Sequence, residues 1–107
     1  MLIATTEHVA GYRVTKTHGE VFGLVVRSRG LGGNIMASLR SLGGGEIKEY
    51  THLLEETRTQ AIERMIAHAQ ERGANAIVMM RFDSSSISNA MSEIVAYGTA
   101  VSIKTED

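Results

Sequence analysis

The chain has 107 residues and a formal net charge of −1, with 43% hydrophobic and 21% charged residues. These values fit one globular domain over residues 1–107, and they argue against the strong overall field that draws a protein to nucleic acid or to a membrane surface. The chain has no cysteine, which excludes disulfides, thiolate metal sites and cysteine nucleophiles.

The amino-terminal stretch MLIATTEHV lacks the basic segment and the long apolar core of a secretory signal peptide. The apolar runs elsewhere are far shorter than a bilayer-spanning helix requires. We therefore expect a cytoplasmic protein that does not enter a membrane.

The first extended region covers residues 9–27, VAGYRVTKTHGEVFGLVVR, and is rich in alternating β-branched and aromatic residues. This pattern predicts either one long bent strand or two strands broken near His18 and Gly19. We expect one face of the strand to carry Tyr12, Val14 and Lys16. We expect the other face to carry Val21, Gly23 and Val25, together with Arg27.

Two helices are predicted in the middle of the chain. Asn34 is a suitable N-cap for a short helix, NIMASLRSL. A long helix follows over roughly residues 46–72, and Gly73 is a natural left-handed residue at its end. Its apolar residues recur at helical spacing and predict a face packed on a sheet: Leu53, Leu54, Ala61, Ile62, Met65, Ile66 and Ala69.

The last part of the chain predicts two strands, 74–83 and 91–103, joined by a polar hairpin SSSISNA. The second strand carries small residues on one face, which permits close approach of a helix or another subunit. The element order β–β–α–α–β–β predicts an α+β fold. We expect two layers, with one long and one short helix packed on a mainly antiparallel sheet.

The last two strands offer apolar residues on both faces, but one helical layer can cover only one face of a sheet. The uncovered face needs a partner. We therefore predict a homo-oligomer in which the sheets of neighbouring subunits pack together or join into a barrel.

Three glycines, 43–45, precede the long helix and raise the question of a phosphate-binding loop. A phosphate loop follows a strand and carries a Lys-Ser/Thr pair after its last glycine. Here Glu46 follows, and its charge would repel a phosphate from the helix amino terminus. The glycines are better explained as a sharp corner between two helices.

Four stretches together resemble the YbjQ-like family: ATTEHVAGY (4–12), GGGEIKEYTHLLEETRTQAIERM (43–65), GANAIVMMRFD (73–83) and SEIVAYGTAV (92–101). The family is catalogued as "putative heavy-metal-binding", and its function is largely unassigned. The resemblance implies an α+β subunit similar to that of dodecin, assembled into ring-like pentamers. It also implies a small residue where this chain has Met79.

The resemblance names a divalent metal ion as the candidate cofactor, and His52 with Glu56 is the best pair of ligands. The two residues lie four apart and share one face of the predicted helix. A transition-metal site needs three or four ligands, and the sequence offers no third one nearby. Exposed histidines without a metal are the simpler interpretation.

Arg81, Asp83, Glu93 and Tyr97 form the best candidate ligand site. Across the predicted hairpin Arg81 could pair with Glu93, and the guanidinium could orient a small anion. The alternative is a structural ion pair between strands or subunits. The sequence contains no Ser-His-Asp order, no H-E-x-x-H motif and no dinucleotide fingerprint, so no catalytic residue is assigned.

Arg27, Arg29 and Arg40 flank a glycine-rich loop and could bind an acidic partner. An aromatic content of only 5% leaves no stacking platform for nucleic acid. The sequence thus favours a non-enzymatic cytoplasmic homo-oligomer that binds a metal or small ligand between subunits. The alternatives are an enzyme with an inter-subunit site on Arg81, Asp83, Glu93 and Tyr97, or a protein-interaction adaptor.

Overall fold

The computed structural model describes residues 1–28, 48–88 and 91–106. The predicted short helix, the three glycines and the residues Arg29 and Arg40 lie outside this range. The described elements are β1 (Leu2–Ile3), β2 (Tyr12–Ser28), α1 (Lys48–Glu71), β3 (Ala76–Ser88) and β4 (Met91–Thr105). The fold is α+β, as the sequence predicts, and within the described residues one helix packs on a four-stranded sheet.

The sheet is mixed, with strand order β1-β3-β4-β2. β4 pairs antiparallel with both β2 and β3, whereas β1 pairs parallel with β3 at Ala76 and Ile77. The sequence does not predict β1, because a strand of two residues is too short to show an alternating pattern. Its parallel pairing is also with a strand more than 70 positions away, which no local pattern reveals.

β2 is one strand of 17 residues, interrupted by two bulges. The bulges lie between Val14 and Lys16 and between Thr17 and Gly19. A bulge inserts one extra residue and reverses the alternation of faces. The prediction that Val14 and Lys16 share a face was therefore wrong: Val14 lies opposite Ile103, and Lys16 lies opposite Ser102.

We call the sheet face that packs on α1 the inner face and the opposite one the outer face. The main core lies on the inner face, where the helix residues Ala61, Met65 and Ala69 are fully buried. Its strand residues are Val21, Val25, Ile77, Met80, Ala96 and Ala100. The small residues of β4 lie on this face, where the sequence predicted the close approach of a helix. The helix prediction fails at Leu54, which is 38% exposed.

A second, smaller cluster lies on the outer face at one end of the sheet. Ala76, Val78, Val101 and Ile103 are buried there. The amino-terminal segment covers them with two part-buried side chains, Leu2 and Val9. α1 and this segment thus cover opposite faces of the sheet.

α1 ends in the left-handed glycine predicted from the sequence. Gly73 has φ 81°, its amide donates to the Gln70 carbonyl, and the Ala74 amide donates to the Ala69 carbonyl. These two bonds form a Schellman motif, which satisfies the last carbonyls of the helix. Among the described residues, the structure contains no helix that is long and apolar enough to cross a membrane.

Candidate functional site

The four residues of the predicted ligand site lie on the outer face of β3 and β4. Arg81 is directly opposite Tyr97, and Asp83 is opposite Val95. Glu93 lies two pairs further along, opposite Ser85. All four residues therefore lie on one face of the sheet, but the strand pairing spreads them along β3 and β4.

The predicted pair between Arg81 and Glu93 was wrong. The carboxylate of Glu93 accepts a 2.9 Å hydrogen bond from the Ser85 hydroxyl. Arg81 Nη1 donates to the Thr5 carbonyl at 2.8 Å and to the Met80 carbonyl at 2.8 Å. Arg81 thus fastens the amino-terminal segment to β3 and does not face a carboxylate.

The serines of SSSIS belong to β3 and not to a hairpin loop. β3 continues to Ser88, and β4 begins at Met91. The turn therefore lies nearer to β4 than predicted, and each β3 residue meets a partner further along β4. With the turn at its predicted place, Arg81 would have faced Glu93.

A groove of about 550 Å³ opens on the outer face beside the amino-terminal segment. Its floor is apolar and includes Val78, Val101 and Ile103. Its rim includes residues that can carry charge of both signs: Glu7, His8, Arg13 and Glu106. The groove can hold an apolar group with mixed polar contacts at the edge.

Met79 borders this groove in an unusual backbone conformation. It has φ 56°, which makes it the non-glycine residue with positive φ within the described ranges. It sits in the β3 bulge between Val78 and Arg81, and its amide donates to the Thr6 carbonyl at 3.1 Å. Glycine adopts positive φ without strain, whereas a residue with a Cβ, such as Met79, does not.

The candidate metal ligands His52 and Glu56 are adjacent, with His52 Nε2 3.0 Å from Glu56 Oε1. Their side chains are 73% and 55% exposed. Among the described residues no group of three His, Cys, Asp or Glu side chains could hold a metal ion. The pair can supply two ligands, and any further ligand must come from elsewhere.

Two other histidines have partners that the sequence did not suggest. His18 Nε2 lies 2.7 Å from the Ser102 hydroxyl. His68 Nδ1 accepts the Phe22 amide at 3.2 Å, and the two rings meet edge to face at 5.4 Å. Both contacts depend on strand pairing and helix docking over long sequence distances, so no local motif predicts them.

His68 is part of a row of helix side chains that covers the free edge of β2. Arg64 Nη1 donates to the Leu24 carbonyl, and Arg72 Nη1 donates to the His18 carbonyl at 3.2 Å. Gln60 accepts a 2.8 Å bond from Arg27 Nη2. The four positions follow a four-residue spacing on one helical face. Arg27, a candidate for binding an acidic partner, is thereby engaged within the chain.

On the outer face opposite α1, a strip of β2 and β4 is apolar and exposed in the single chain, and it is bordered by Arg81, Asp83 and Glu93. We define the outer apolar patch as Leu24, Val26, Val95 and Tyr97. Leu24 is opposite Val95 in the register, with Tyr97 and Val26 flanking them. Leu24, Val26 and Tyr97 are 38%, 47% and 43% exposed. A contiguous exposed patch of this kind is characteristic of an interaction surface.

The YbjQ family model, described as "Putative heavy-metal-binding", matches residues 1–104. A UPF0145 protein of Bradyrhizobium sp. strain ORS 278 is 61% identical over 97% of this chain and 94% of its own length. A UPF0145 protein of Methanocella arvoryzae is 56% identical over 99% of this chain and 88% of its own length.

A crystal structure also resembles this fold. It belongs to a protein of unknown function of the DUF74 family from Pediococcus pentosaceus. The TM-score is 0.63, with 14% identity over 97% of this chain and 98% of that one. At this identity the likeness supports the fold alone.

Proposed function

The chain belongs to the YbjQ-like family, and from this premise we propose that it is a self-associating cytoplasmic module that binds a metal ion or another small ligand between subunits. A ring of five subunits is the number that the family resemblance implies. The proposal rests on the outer apolar patch, which α1 and the amino-terminal segment both leave uncovered.

The patch favours association because exposed apolar surface is unfavourable in water. Burial of one large apolar side chain contributes about 1.5–3 kcal/mol relative to full exposure. Leu24, Val26 and Tyr97 are 38–47% exposed, so packing them against another subunit would gain a substantial part of this free energy. The small side chains that α1 needs lie on the inner face, so α1 cannot cover both faces.

The metal part of the proposal is supported by the geometry of His52 and Glu56. They supply one nitrogen and one oxygen ligand from adjacent turns of α1, and zinc or nickel needs at least one more ligand from the protein. A neighbouring subunit can supply it. The site would therefore be complete only in the assembly.

The association is tested with Leu24→Asp, and Leu54→Asp is the matched control. Both leucines are 38% exposed, but Leu24 lies in the outer apolar patch and Leu54 lies on α1. We expect the native protein and Leu54→Asp to sediment as oligomers at micromolar concentration, and Leu24→Asp to sediment as a monomer. A monomeric native protein would contradict the proposal.

The ligand is tested by native mass spectrometry of protein purified from cells without added metal, followed by zinc, nickel and copper titrations. We expect the oligomer to retain a metal and His52→Ala to lose it, with the Leu24→Asp monomer binding at least tenfold more weakly. Binding that is unchanged in His52→Ala would exclude this pair of ligands. A retained organic mass would favour a small-molecule ligand instead.

A further inference from the structure

Beyond this proposed function, a cluster of basic residues on the inner face carries an independent inference. We define the basic patch as Lys16, His18, Arg72 and Lys104, together with Ser102. Ser102 and Lys104 alternate on the inner face of β4 in register with Ala100, which belongs to the main core. The patch thus continues the face that α1 covers, past the end of the helix.

The two bulges of β2 bring Lys16 and His18 to this patch. The first bulge turns Lys16 to the inner face, directly opposite Ser102. His18 lies in the second bulge, and its ring reaches the Ser102 hydroxyl at 2.7 Å. Bulges often re-aim side chains beside functional sites. Without these bulges, Lys16 would share the outer face with Val14.

Arg72 reaches the same place from the end of α1. Its Nη1 donates to the His18 carbonyl at 3.2 Å, and it passes over Gly19, which has φ 105°. A Cβ at this glycine would lie 3.2 Å from Nη1, closer than an ordinary contact. The left-handed glycine therefore leaves room for the arginine.

The charges of the patch are not balanced by the described part of the chain. Arg13 lies directly opposite Lys104 in the sheet, and like charges in directly opposed positions destabilise a strand pair. Across residues 1–28, 48–88 and 91–106, the ion pairs are His8–Glu7 and His52–Glu56, and neither involves these cations. Unfavourable local arrangements such as opposed like charges are expected at functional sites.

The cations occupy three successive levels along β4. Lys104 marks the first level, Lys16 opposite Ser102 marks the second, and Arg72 beside Gly19, which lies opposite Ala100, marks the third. Two residues of a strand span about 7 Å, so the row extends over about 14 Å. One orthophosphate contacts a single level, whereas a linear chain of phosphates contacts two or three.

We propose that the basic patch binds a phosphoanhydride chain, that is, an anion with at least two linked phosphate groups. Lys16, Lys104 and Arg72 contact the phosphate oxygens. The Nε2–H of His18 donates to the Ser102 oxygen, which leaves the one proton of the Ser102 hydroxyl to donate to the central phosphate group. The free source is an inorganic oligophosphate, and the nucleotide source is a nucleoside triphosphate. The chemistry that the patch recognises is common to both.

The test is calorimetric titration of the full chain with inorganic triphosphate at 150 mM salt, with orthophosphate at matched ionic strength as the reference. We expect triphosphate to bind at least tenfold more tightly than orthophosphate. Lys16→Glu and Lys104→Glu should each weaken triphosphate at least tenfold. Lys48→Glu, which makes the same charge change at the far end of α1, should leave it unchanged.

A second measurement separates loss of binding from loss of fold. Lys104→Glu replaces a like-charge pair with an attractive one opposite Arg13, so its melting temperature without ligand should not fall. Triphosphate should raise the melting temperature of the native chain but not that of this variant. A nucleoside triphosphate that binds as tightly as inorganic triphosphate would confirm that the phosphate chain is recognised.

Three results would overturn the proposal. The first is that triphosphate binds no better than orthophosphate. The second is that Lys48→Glu weakens triphosphate binding as much as the patch variants do. The third is that single-stranded RNA binds to the patch while triphosphate fails to compete with it, in which case the ligand is a polynucleotide. The oligomer and metal tests above are independent of each of these results.

Discussion

At the scale of single residues, Met79 shows how one backbone angle shapes the outer face. Its φ of 56° lies in the left-handed region, which costs a non-glycine residue about 1–2 kcal/mol. The bulge at Met79 sets the faces of the following residues, so that Arg81 and Asp83 point to the outer face. Opposite the bulge is Gly98, where a Cβ would lie 2.8 Å from Ile77 Cγ2.

We predict that Met79→Gly leaves stability unchanged or raises it by up to about 1 kcal/mol, because relief of strain outweighs the larger entropy of the unfolded glycine chain. Met91→Gly is the control, since Met91 is about equally exposed on a strand and is not among the residues with positive φ. It should lose about 1 kcal/mol. Urea unfolding measures both. Equal losses in the two variants would contradict the role of strain.

Some contacts of the candidate site residues follow from sequence spacing within one element, and others depend on how two strands pair. The pair of His52 and Glu56 follows from helical spacing alone, and the structure has it. The pairing of Arg81 depended on where the hairpin turned. When the turn moves by two residues, the β4 partner of each β3 residue moves by four positions. Arg81 therefore lies opposite Tyr97 instead of Glu93. Such a displacement has no strong sequence signal among consecutive serines.

At the scale of elements, the docking of α1 on β2 depends on the absence of a side chain. A Cβ at Gly23 would collide with the backbone of Ala61 and Met65. Backbone atoms cannot rotate away as a flexible side chain can, so α1 would have to move away from β2. Ala61 itself is fully buried, and the helix and strand approach each other through these two small residues.

We predict that Gly23→Ala destabilises the chain by more than about 3 kcal/mol, because the main core must open to accept the methyl group. Gly11→Ala separates this steric effect from the effect of backbone angle. Gly11 has φ 81°, but a Cβ there meets nothing within 4 Å. It should lose only about 1–2 kcal/mol. Thermal unfolding followed by circular dichroism measures both, and similar losses would contradict the close docking.

The row of helix side chains along β2 performs a different task, since it protects the edge of the sheet. Free strand edges invite pairing with other chains. Arg64, His68 and Arg72 occupy backbone groups of β2 that face away from β4. Association by strand addition is therefore blocked along this stretch of β2.

We predict that His68→Ala accelerates amide hydrogen exchange at Phe22, whose N–H loses its acceptor, and costs about 1–2 kcal/mol of stability. Exchange at Val21 should change less, because Val21 pairs with Gly98 inside the sheet. Glu63→Ala, an exposed substitution on the same helix, is the control. Equal exchange at Phe22 in all three proteins would show that His68 does not protect the edge.

Among the elements, the long helix, its terminal glycine and the last strand were predictable because each has a periodic pattern or a cap residue. In β2 the sequence predicted an irregularity only near His18 and Gly19, as a bend or a break, and the second bulge lies there. The bulge at Thr15 was not predicted, because Thr15 looks like an ordinary strand residue and only pairing with β4 reveals that it is extra. This omission concealed that Lys16 lies beside Ser102.

At the scale of the whole molecule, the fold is elongated. The Cα radius of gyration is 17.3 Å, whereas a compact chain of this length has about 13 Å. The strands extend beyond the layer that covers them on each face. The sequence predicted this imbalance from apolar residues on both faces of the last strands, and the outer apolar patch confirms that such a surface exists. The number of subunits stays a prediction.

If subunits associate through the outer apolar patch, then unfolding must also separate them, and stability must depend on protein concentration. We predict that a hundredfold increase in concentration stabilises the native protein by about 2 kcal/mol per subunit. For a domain of this size that raises the melting temperature by roughly 10 °C. Scanning calorimetry over this range measures the change.

Leu24→Asp should abolish this dependence on concentration, because a carboxylate in the patch cannot be buried without a partner. Leu54→Asp, with the same exposed fraction, should keep it. Sulfate should strengthen association through an apolar surface, whereas an ion-paired interface would weaken as salt rises. A melting temperature that is independent of concentration in the native protein would show that the patch stays in water, and its exposure would then need another partner.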